Sequence, residues 1–421
     1  MHRRTRTLAG LWSAFLLLLC LVFQASPAVA ASLAYVANRD SNSVSVVDSA
    51  TNAVVSSFGV DSPFGVAFTP DGSRAYVTSF FSNYVAAVDT ATSTIIATIP
   101  SGGNPSGVVV TPDGSKVYVA NNGGRDLVVI STATNTQIAG IDVGENPQGL
   151  AVSPDGTRLY VAVQSAGTVV VVNTATDTVL ATIPVGGFPS ALAVTPDGSR
   201  VYVPRPEGGD VAVINTATNL VIATVTTGAR AFGVAITPDG AHAYVANFAD
   251  GTVSVIETAT NTVVDTIGGL TTPALIAATA DGSQIAVTQQ DAGSVAIIAT
   301  ATNTVTGVVG TGLITQGVAF KPGVVPPRPS LLALIPNPVK GGKQVTAQVT
   351  LDQPAGPGGV VVTLTSSNPA VASAPATVTV KKNKINVVFT IKTKKVNANT
   401  NVTISATANG KTITQTLTVT P

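Results

Sequence analysis

Arginine, acidic, amide and aromatic residues recur in this chain beside short apolar segments, in loops spaced about 42 residues apart. Arg230, Glu145 and Asp61 stand in three of these loops. An arginine and a carboxylate at one site can polarise a carbonyl group, which is the chemistry needed to open a lactone. The candidate binding residues of these loops are Arg39, Asp61, Phe64, Asn104, Arg125, Glu145, Phe188, Arg205, Arg230 and Phe232.

Residues suited to metal, redox or thiol chemistry are scarce. The chain has one cysteine, Cys20, and two histidines. His242 follows the Asp239-Gly240 pair, at a position that other copies of the repeat fill with Arg or Lys. A solvated turn residue is therefore a better interpretation of His242 than a functional one. We predict no metal site and no cofactor, and we assign no catalytic residue.

The loops belong to a repeat whose period is set by tyrosines. A Tyr-Val pair recurs at steps of 41 and then 42 residues, and Ala286 holds the seventh place; the tyrosines are Tyr35, Tyr76, Tyr118, Tyr160, Tyr202 and Tyr244. A fixed period of this size is typical of stacked supersecondary units that share one core.

Each repeat reads as four short antiparallel strands, A to D. In one unit these are 191–194, 201–203, 211–214 and 220–225, with Pro-Asp-Gly between A and B. Asp-Gly between apolar segments indicates a hairpin, because glycine accepts the positive φ of a tight turn. The array begins with a B strand at 33–37 and ends with an A strand at 317–320. We therefore predict a seven-bladed β-propeller closed by a three-plus-one blade.

The candidate residues share one face of this ring. Strand direction alternates within a unit, so the D-to-A and B-to-C loops lie on the same side. The turns of the opposite side are nearly identical from copy to copy, whereas these loops vary. Variable loops on a rigid scaffold are where ligands bind, although each residue taken singly can be a solvated loop tip.

The segments 35–38, 118–121 and 244–247 read Tyr-Val-Ala-Asn, and the last two follow Pro-Asp-Gly by some six residues. In this the chain resembles the YVTN-type propeller repeats of bacteria and archaea over residues 33–321. The resemblance implies the propeller fold, and the architecture includes surface-layer proteins, periplasmic propellers, lactonases and cofactor propellers. Haem, copper and quinone propellers depend on several His, stacked Trp or paired Cys, so their activities are not carried over.

Residues 1–30 have the pattern of a signal peptide. Arg3, Arg4 and Arg6 precede an apolar run at 8–23 and a small-residue cleavage site at 28–30. A retained membrane anchor is the competing interpretation, but the run is short. We predict an extracytoplasmic protein, located in the periplasm, at the cell surface or outside the cell, with no transmembrane segment after cleavage.

The repeat is followed by a proline-rich linker at 322–330 and a second domain at 331–421. Six or seven short alternating segments predict a β-sandwich of immunoglobulin type. It resembles the Ig-like modules of bacterial surface proteins through Pro336-Asn337-Pro338, Gly341-Gly342 and residues 366–369.

Charge differs sharply between the two parts. Residues 31–322 carry 20 acidic and 9 basic residues, whereas 323–421 carry 1 and 10. The lysines proposed to contact an anionic envelope polymer are Lys381, Lys382, Lys384, Lys392, Lys394 and Lys395. Lysines that keep a strand edge soluble are an equally good interpretation. The patch has no interleaved aromatic residues, so we expect no nucleic-acid partner.

These observations favour an exported, non-enzymatic binding or scaffold protein of the cell envelope. In this interpretation the propeller recognises a ligand or an exported protein, and the basic sandwich is a spacer or tether. The alternative is a propeller enzyme of the lactonase or lyase kind, in which Arg230, Glu145 and nearby carboxylates act at the central channel.

Overall fold

A computed structural model describes residues 32–323, 327–351, 355, 359–382, 384–409 and 411–421. Apart from a short 3-10 helix at Arg39–Ser41, the regular structure in these ranges is β-strand. The chain divides into two compact units, Met1–Lys321 and Pro322–Pro421. The predicted signal peptide and residues 324–326 of the predicted linker lie outside the described residues. Within the described ranges, no helix is long and apolar enough to span a membrane.

The first unit consists of seven four-stranded antiparallel sheets, here called blades 1 to 7. Blade 1 holds β1 (Leu33–Asn38), β2 (Ser43–Asp48) and β3 (Ala53–Gly59); blade 2 holds β4 (Pro63–Phe68), β5 (Arg74–Ser79), β6 (Tyr84–Asp89) and β7 (Thr94–Pro100); blade 3 holds β8 (Pro105–Val110), β9 (Lys116–Asn121), β10 (Asp126–Ser131) and β11 (Thr136–Asp142); blade 4 holds β12 (Pro147–Val152), β13 (Arg158–Val163), β14 (Thr168–Asn173) and β15 (Thr178–Pro184). Blade 5 holds β16 (Ala193–Val194), β17 (Arg200–Arg205), β18 (Asp210–Asn215) and β19 (Leu220–Thr226); blade 6 holds β20 (Ala231–Ile236), β21 (His242–Asn247), β22 (Thr252–Glu257) and β23 (Thr262–Ile267); blade 7 holds β24 (Pro273–Ala278), β25 (Gln284–Gln289), β26 (Ser294–Ala299) and β27 (Thr304–Gly310). The last strand, β28 (Thr315–Phe320), joins blade 1.

The seven blades form a closed ring. Their first strands are neighbours in the cyclic order β4, β8, β12, β16, β20, β24 and β28, and β28 lies beside β4 again. β28 pairs antiparallel with β1, with Val36 opposite Val318. One blade therefore contains strands from both ends of the unit, and β28 covers the edge of β1 that would otherwise be unpaired. The prediction of an all-β fold with seven propeller blades is confirmed.

Apolar residues on the middle strands of each blade build the core. These strands carry nearly continuous runs of Val, Ile and Ala because both of their faces are covered by neighbouring blades. Tyr76 of blade 2, for example, packs with Val117 and Val119 of blade 3. The outermost strands are exposed and rich in β-branched residues.

On the side of the ring that carries the Pro-Asp-Gly turns, polar contacts join neighbouring blades. The Arg74 guanidinium donates to the Thr132 carbonyl at 2.6 Å, and Lys116 Nζ donates to the Thr174 carbonyl at 2.8 Å. Four of the tyrosine hydroxyls donate to a turn residue of the following blade; the pairs are Tyr76 with Asn135, Tyr118 with Asp177, Tyr202 with Asn261 and Tyr244 with Asn303.

Blades 7 and 1 meet without this tyrosine contact. Ala286 stands at the tyrosine position, and the period places Asn52 opposite it. Asn52 Oδ1 is buried and has no hydrogen-bond partner. The contact equivalent to that of Arg74 is made by Gln284, whose Nε2 donates to the Ser49 carbonyl at 3.3 Å and whose Oε1 accepts from Ser49 Oγ at 2.6 Å.

The aspartates of the Pro-Asp-Gly turns act as hydrogen-bond acceptors for the backbone and for neighbouring hydroxyls. Asp113 Oδ1 accepts from Thr111 Oγ1 at 2.5 Å and from the Ser115 N–H at 3.0 Å. The hydrogen bond from Thr111, followed by those from Ser115, lowers the pKa of Asp113 below its ordinary value. At Asp71 burial opposes the shift, yet hydrogen bonds from Thr69 and Ser73 still lower the pKa.

We expect Asp113→Asn to lower the free energy of unfolding at pH 7, by an amount that shrinks as the pH falls. A carboxylate whose pKa is depressed in the folded state stabilises the fold above its unfolded pKa, about 3.9, and loses this effect as the pH falls through the folded value. Urea unfolding of wild type and variant between pH 7 and pH 2 tests this. A difference that stays constant down to pH 2 would contradict it.

The second unit contains two sheets that share one apolar core. One sheet has the order β29-β31-β35-β33 and the other the order β30-β37-β36-β32-β34; the strands are β29 (Pro329–Ile335), β30 (Val339–Lys340), β31 (Gln344–Leu351), β32 (Val360–Ser366), β33 (Ala372–Ser373), β34 (Thr377–Val380), β35 (Asn386–Thr393), β36 (Thr400–Ala408) and β37 (Lys411–Thr420). The first strand begins at Pro329, inside the segment predicted as linker.

Candidate active site at the central channel

A cavity of about 190 Å³ lies among the first strands of the blades and is lined by residues of all seven. Because the repeat period is regular, equivalent residues at the first strand of each blade form three successive rings around the channel. The outer ring is Phe64, Ser106, Gln148, Ser190, Phe232, Ala274 and Gln316; the middle ring is Gly65, Gly107, Gly149, Ala191, Gly233, Leu275 and Gly317; the inner ring is Val66, Val108, Leu150, Leu192, Val234, Ile276 and Val318.

The glycines of the middle ring allow neighbouring inner strands to approach closely. A Cβ atom at Gly149 would lie 2.2 Å from the Ser190 carbonyl oxygen, and one at Gly317 would lie 2.2 Å from that of Phe64. These distances are far shorter than any carbon–oxygen contact. The width of the channel is therefore fixed by backbone packing between blades, and the cavity is preformed.

Among the residues that the structure describes, no charged side chain lines the cavity. The inner ring is aliphatic, and polar side chains come from Ser106, Gln148 and Ser190 of the outer ring. Ser190 Oγ donates to the Phe232 carbonyl at 2.6 Å, and Ser106 Oγ contacts the Gln148 carbonyl at 3.3 Å. Both serine hydroxyls therefore bond to backbone rather than to a base, which leaves Gln148 as the polar side chain available to a ligand.

Gln148 stands at the end of a chain of amide side chains that begins at the rim. Asn122 Nδ2 donates to the Pro147 carbonyl at 3.3 Å and to Gln164 Oε1 at 3.4 Å. Gln164 Nε2 in turn donates to Gln148 Oε1. Asn146 Nδ2 supports the rim by donating to the Asn122 carbonyl at 2.7 Å. This network holds the Gln148 side chain in one orientation.

The regular arrangement of first strands around the channel is interrupted at blade 5. The A strand predicted at 191–194 is reduced to β16, two residues long, and the preceding loop carries Gly186 and Gly187 with φ of 73° and 33°. Pro204 of the neighbouring strand has no N–H, and its carbonyl accepts from the Ser190 N–H at 3.2 Å. Because the proline removes a ladder donor, the inner strand pairs only at Ala193 and Val194.

Several predicted binding residues form aromatic clusters at the rim. Phe64 stacks on Phe80 with ring centroids 5.3 Å apart, and the Arg39 guanidinium lies 5.7 Å from the ring of Phe81. On another blade Phe232 lies 6.5 Å from Phe248. Phe188 is exposed in the irregular loop of blade 5.

Glu145, Arg230 and Asp61, whose convergence at the channel would favour the enzymatic alternative, contact other residues and not one another. Glu145 Oε1 lies 3.4 Å from Arg125, which also approaches Asp142 at 3.5 Å. The Arg230 guanidinium lies 4.9 Å from the ring of Phe248, and Asp61 Oδ2 is 3.4 Å from the Tyr84 hydroxyl. Each group finds a partner in a neighbouring loop, because adjacent loops are closer than loops across the channel.

The remaining predicted rim residues make structural contacts. Arg205 forms a half-buried ion pair with Asp210 at 2.7 Å and also donates to the Val185 carbonyl. Asn104 Nδ2 donates to the Phe80 carbonyl at 3.2 Å. His242 begins β21, and its N–H donates to Thr237 Oγ1. Among the described residues, no group of three His, Cys, Asp or Glu side chains could hold a metal ion.

The six lysines proposed to contact an envelope polymer form two groups rather than one patch. Lys381, Lys382 and Lys384 precede β35, whereas Lys392 lies near its end and is followed by Lys394 and Lys395. All six are exposed. At about 3.3 Å per residue, the strand separates the two groups by roughly 25 Å.

Ser106, Gln148 and Ser190 were not among the predicted binding residues, although the sequence contains the signal that finds them. They occupy the same repeat position as Phe64 and Phe232, which were predicted. Apart from Asn104, the predicted binding residues are charged or aromatic, and the other uncharged polar residues of these loops were not selected. The orientation of Gln148 depends on Asn122 of a neighbouring blade, and no local pattern reveals it.

Residues 49–183 match the protein family described as lactonase, 7-bladed beta-propeller. No curated protein matches the chain. Solved structures with similar folds include hydrazine synthase of Kuenenia stuttgartiensis (22% identity, TM-score 0.58, covering 62% of this chain and 90% of that one) and a functionally unknown protein of Desulfotomaculum acetoxidans DSM 771 (20%, 0.61, 68% and 98%). A third is dihydro-heme d1 dehydrogenase NirN (16%, 0.54, 69% and 76%). At these identities the structures support the propeller fold alone.

The lactonase match contradicts the prediction of a non-enzymatic binding or scaffold protein of the cell envelope. The matched segment spans blades 2 to 4 and includes the amide chain that ends at Gln148. The prediction was wrong because it weighed the scarcity of histidine against catalysis, whereas amide donors can also polarise a carbonyl group. The enzymatic alternative agrees better with these findings.

Proposed function

We propose that this protein is a lactonase-type hydrolase that acts in the central channel. The observation that carries the proposal is the preformed cavity on the ring axis, in a chain whose residues 49–183 match seven-bladed lactonases. Asn122, Glu145, Gln148 and Gln164 all fall within the matched segment.

In the proposed reaction, Gln148 binds the lactone carbonyl and stabilises the negative charge that develops on its oxygen. The oxygen of a water molecule bonds to the carbonyl carbon, the ring C–O bond breaks, and the ring oxygen receives a proton, which gives a hydroxy acid. A donor that is already oriented toward the developing oxyanion costs no reorganisation during the reaction. The amide network supplies this orientation.

Glu145 is outside the cavity lining, so we assign no carboxylate base, and the attacking water gives its proton to bulk solvent. This glutamate lies in the loop between β11 and β12, three residues before Gln148, and its carboxylate lies 3.4 Å from Arg125.

Gln148→Leu should lower kcat/KM for lactone hydrolysis by about 10²-fold, because the variant loses the carbonyl donor and keeps the side-chain volume. The measurement is acid release from a panel of five- and six-membered lactones, followed at constant pH. Gln137→Leu is the matched control, since Gln137 lies on the exposed strand β11 and should leave the rate unchanged. A wild-type protein that hydrolyses none of the panel above the buffer rate would overturn the proposal.

We further propose the finer assignments made from the sequence. These are YVTN-type repeats across 33–321, an immunoglobulin-like sandwich at 331–421, and export directed by residues 1–30. The Tyr-Val-Ala-Asn segments, the two-sheet core of the second unit and the signal-peptide pattern support them. Mass analysis of the protein recovered from fractionated cells tests the export, with a chain that begins at Ala31 as the expected product.

A further inference from the structure

We infer that the cavity selects an uncharged substrate whose carbonyl oxygen accepts a hydrogen bond from Gln148, and that Asn122 and Gln164 fix the direction of that bond. This inference rests on the proposed function and names its substrate class. It makes Gln148 the contact residue and the other two amides positioning residues.

The direction of the amide chain follows from its anchor. The Pro147 carbonyl can only accept, so the group of Asn122 that faces it, at 3.3 Å, is the Nδ2 amino group. The same amino group lies 3.4 Å from the Gln164 side chain, which must present its oxygen there. Gln164 then turns its own amino group to Gln148, which must accept through Oε1.

The amino group of Gln148 is the part of its side chain that remains available to a ligand in the cavity. Its oxygen is engaged by Gln164, and within the described residues Nε2 makes no hydrogen bond with the protein. An amide nitrogen of this kind carries two donor hydrogens and no acceptor. The polar group that Gln148 offers to a ligand is therefore a donor, which suits the carbonyl oxygen of an ester, a ketone or an amide.

The rest of the lining excludes a charged ligand. The cavity contains aliphatic side chains, two phenylalanines and small polar groups. Within the described part of the chain, its lining has no Lys, Arg or His to neutralise an anion and no Asp or Glu to neutralise a cation. Burying an unpaired charge in such surroundings is strongly unfavourable. The volume of about 190 Å³ is also below the 300–1,000 Å³ of sites for drug-sized ligands, so the substrate is a small ring.

Gln164→Glu tests the direction of the chain without changing its size. A carboxylate only accepts, so Glu at this position would accept from both Asn122 and Gln148, and Gln148 would turn its oxygen to the cavity. We expect cyclohexanone, which accepts hydrogen bonds and cannot donate them, to bind the variant about tenfold more weakly than wild type. The readout is titration of the full chain followed by NMR, which requires no turnover.

Gln290→Glu is the matched control. Gln290 occupies the same repeat position as Gln164, three blades away, so it adds the same charge to the rim without touching the amide chain. We expect cyclohexanone to bind this variant as it binds wild type. Asn122→Asp is a second test, because an acceptor at the head of the chain reverses both glutamines and should weaken binding in the same way.

The charge requirement is tested with 4-oxocyclohexanecarboxylate, which adds a carboxylate to the same ring. We expect it to bind wild type at least 100-fold more weakly than cyclohexanone. Equal binding of the two ketones, unchanged cyclohexanone binding by both Gln164→Glu and Asn122→Asp, or no binding of cyclohexanone by wild type would each overturn the inference. A wild type that binds cyclohexanone as described but hydrolyses no lactone would overturn only the proposed function.

Discussion

Replacing Gly107 by alanine should lower the free energy of unfolding of the propeller by about 3 kcal/mol. The new Cβ would lie 2.1 Å from the Gln148 carbonyl oxygen and 3.2 Å from its carbonyl carbon. Both atoms belong to the backbone of the next blade and cannot rotate away, so the two inner strands must separate. Urea unfolding of the full chain, followed by the tyrosine signal, measures the loss.

The control for Gly107→Ala is Gly103→Ala in the loop before the same strand. A Cβ at Gly103 would meet its nearest atom at 3.5 Å, an ordinary contact, so this variant should unfold close to wild type. Equal stability of the two variants would show that the inner strands tolerate displacement. Because Gln148 is the residue pushed aside, Gly107→Ala should also reduce lactone hydrolysis at urea concentrations where it is fully folded.

A disulfide between positions 36 and 318 should raise the free energy of unfolding by about 4 kcal/mol. Val36 of β1 and Val318 of β28 are directly opposite in the closing blade, and nearly the whole ring lies between them in sequence. A crosslink that closes a loop of this length removes a large part of the entropy of the unfolded chain. The test is chemical unfolding of Val36→Cys/Val318→Cys, with Cys20→Ser to prevent mispairing.

The same double variant after reduction is the control, and it should unfold near wild type because valine and cysteine are both small and apolar. An oxidised protein with the unfolding midpoint of the reduced one would contradict the expected stabilisation. Failure of the two thiols to pair would contradict the register itself, since a disulfide requires Cα atoms within about 7 Å.

Much of the fold follows from short-range signals in the sequence. The Asp-Gly turns and the Tyr-Val pairs predict the strands and their number, because each of these signals recurs six times at a nearly constant period. The prediction failed at β16, where a strand expected over 191–194 is only Ala193–Val194. The reason lies in another strand: Pro204 lacks the N–H that an inner strand would need, and pairing between strands is not visible in either segment alone.

The candidate site was less predictable than the fold. The loops that vary between copies identified the correct face, but their charged residues contact each other in neighbouring pairs, as Arg125 and Glu145 do. Gln148 was overlooked because its role as a donor depends on which way its side-chain amide points, and not on its residue type alone. An amide becomes a committed donor only when its oxygen is occupied, and here that depends on a residue 16 positions away and, through it, on a third.

Blade 1, which β28 completes, is the place where the ring can come apart. Its boundary with blade 7 has no tyrosine contact, and hydrogen bonds from Gln284 Nε2 to the Ser49 carbonyl and from Asn52 Nδ2 to the Thr306 carbonyl hold it instead. Blade 1 also contains both chain ends of the unit. If it separated from the ring, the other six blades would form an open arc in which every sheet keeps its four strands. A crosslink between β1 and β28 would keep blade 1 whole without fastening it to blade 7. The two ends of the propeller are therefore joined inside blade 1, whereas the ring would open at the boundary beside that blade.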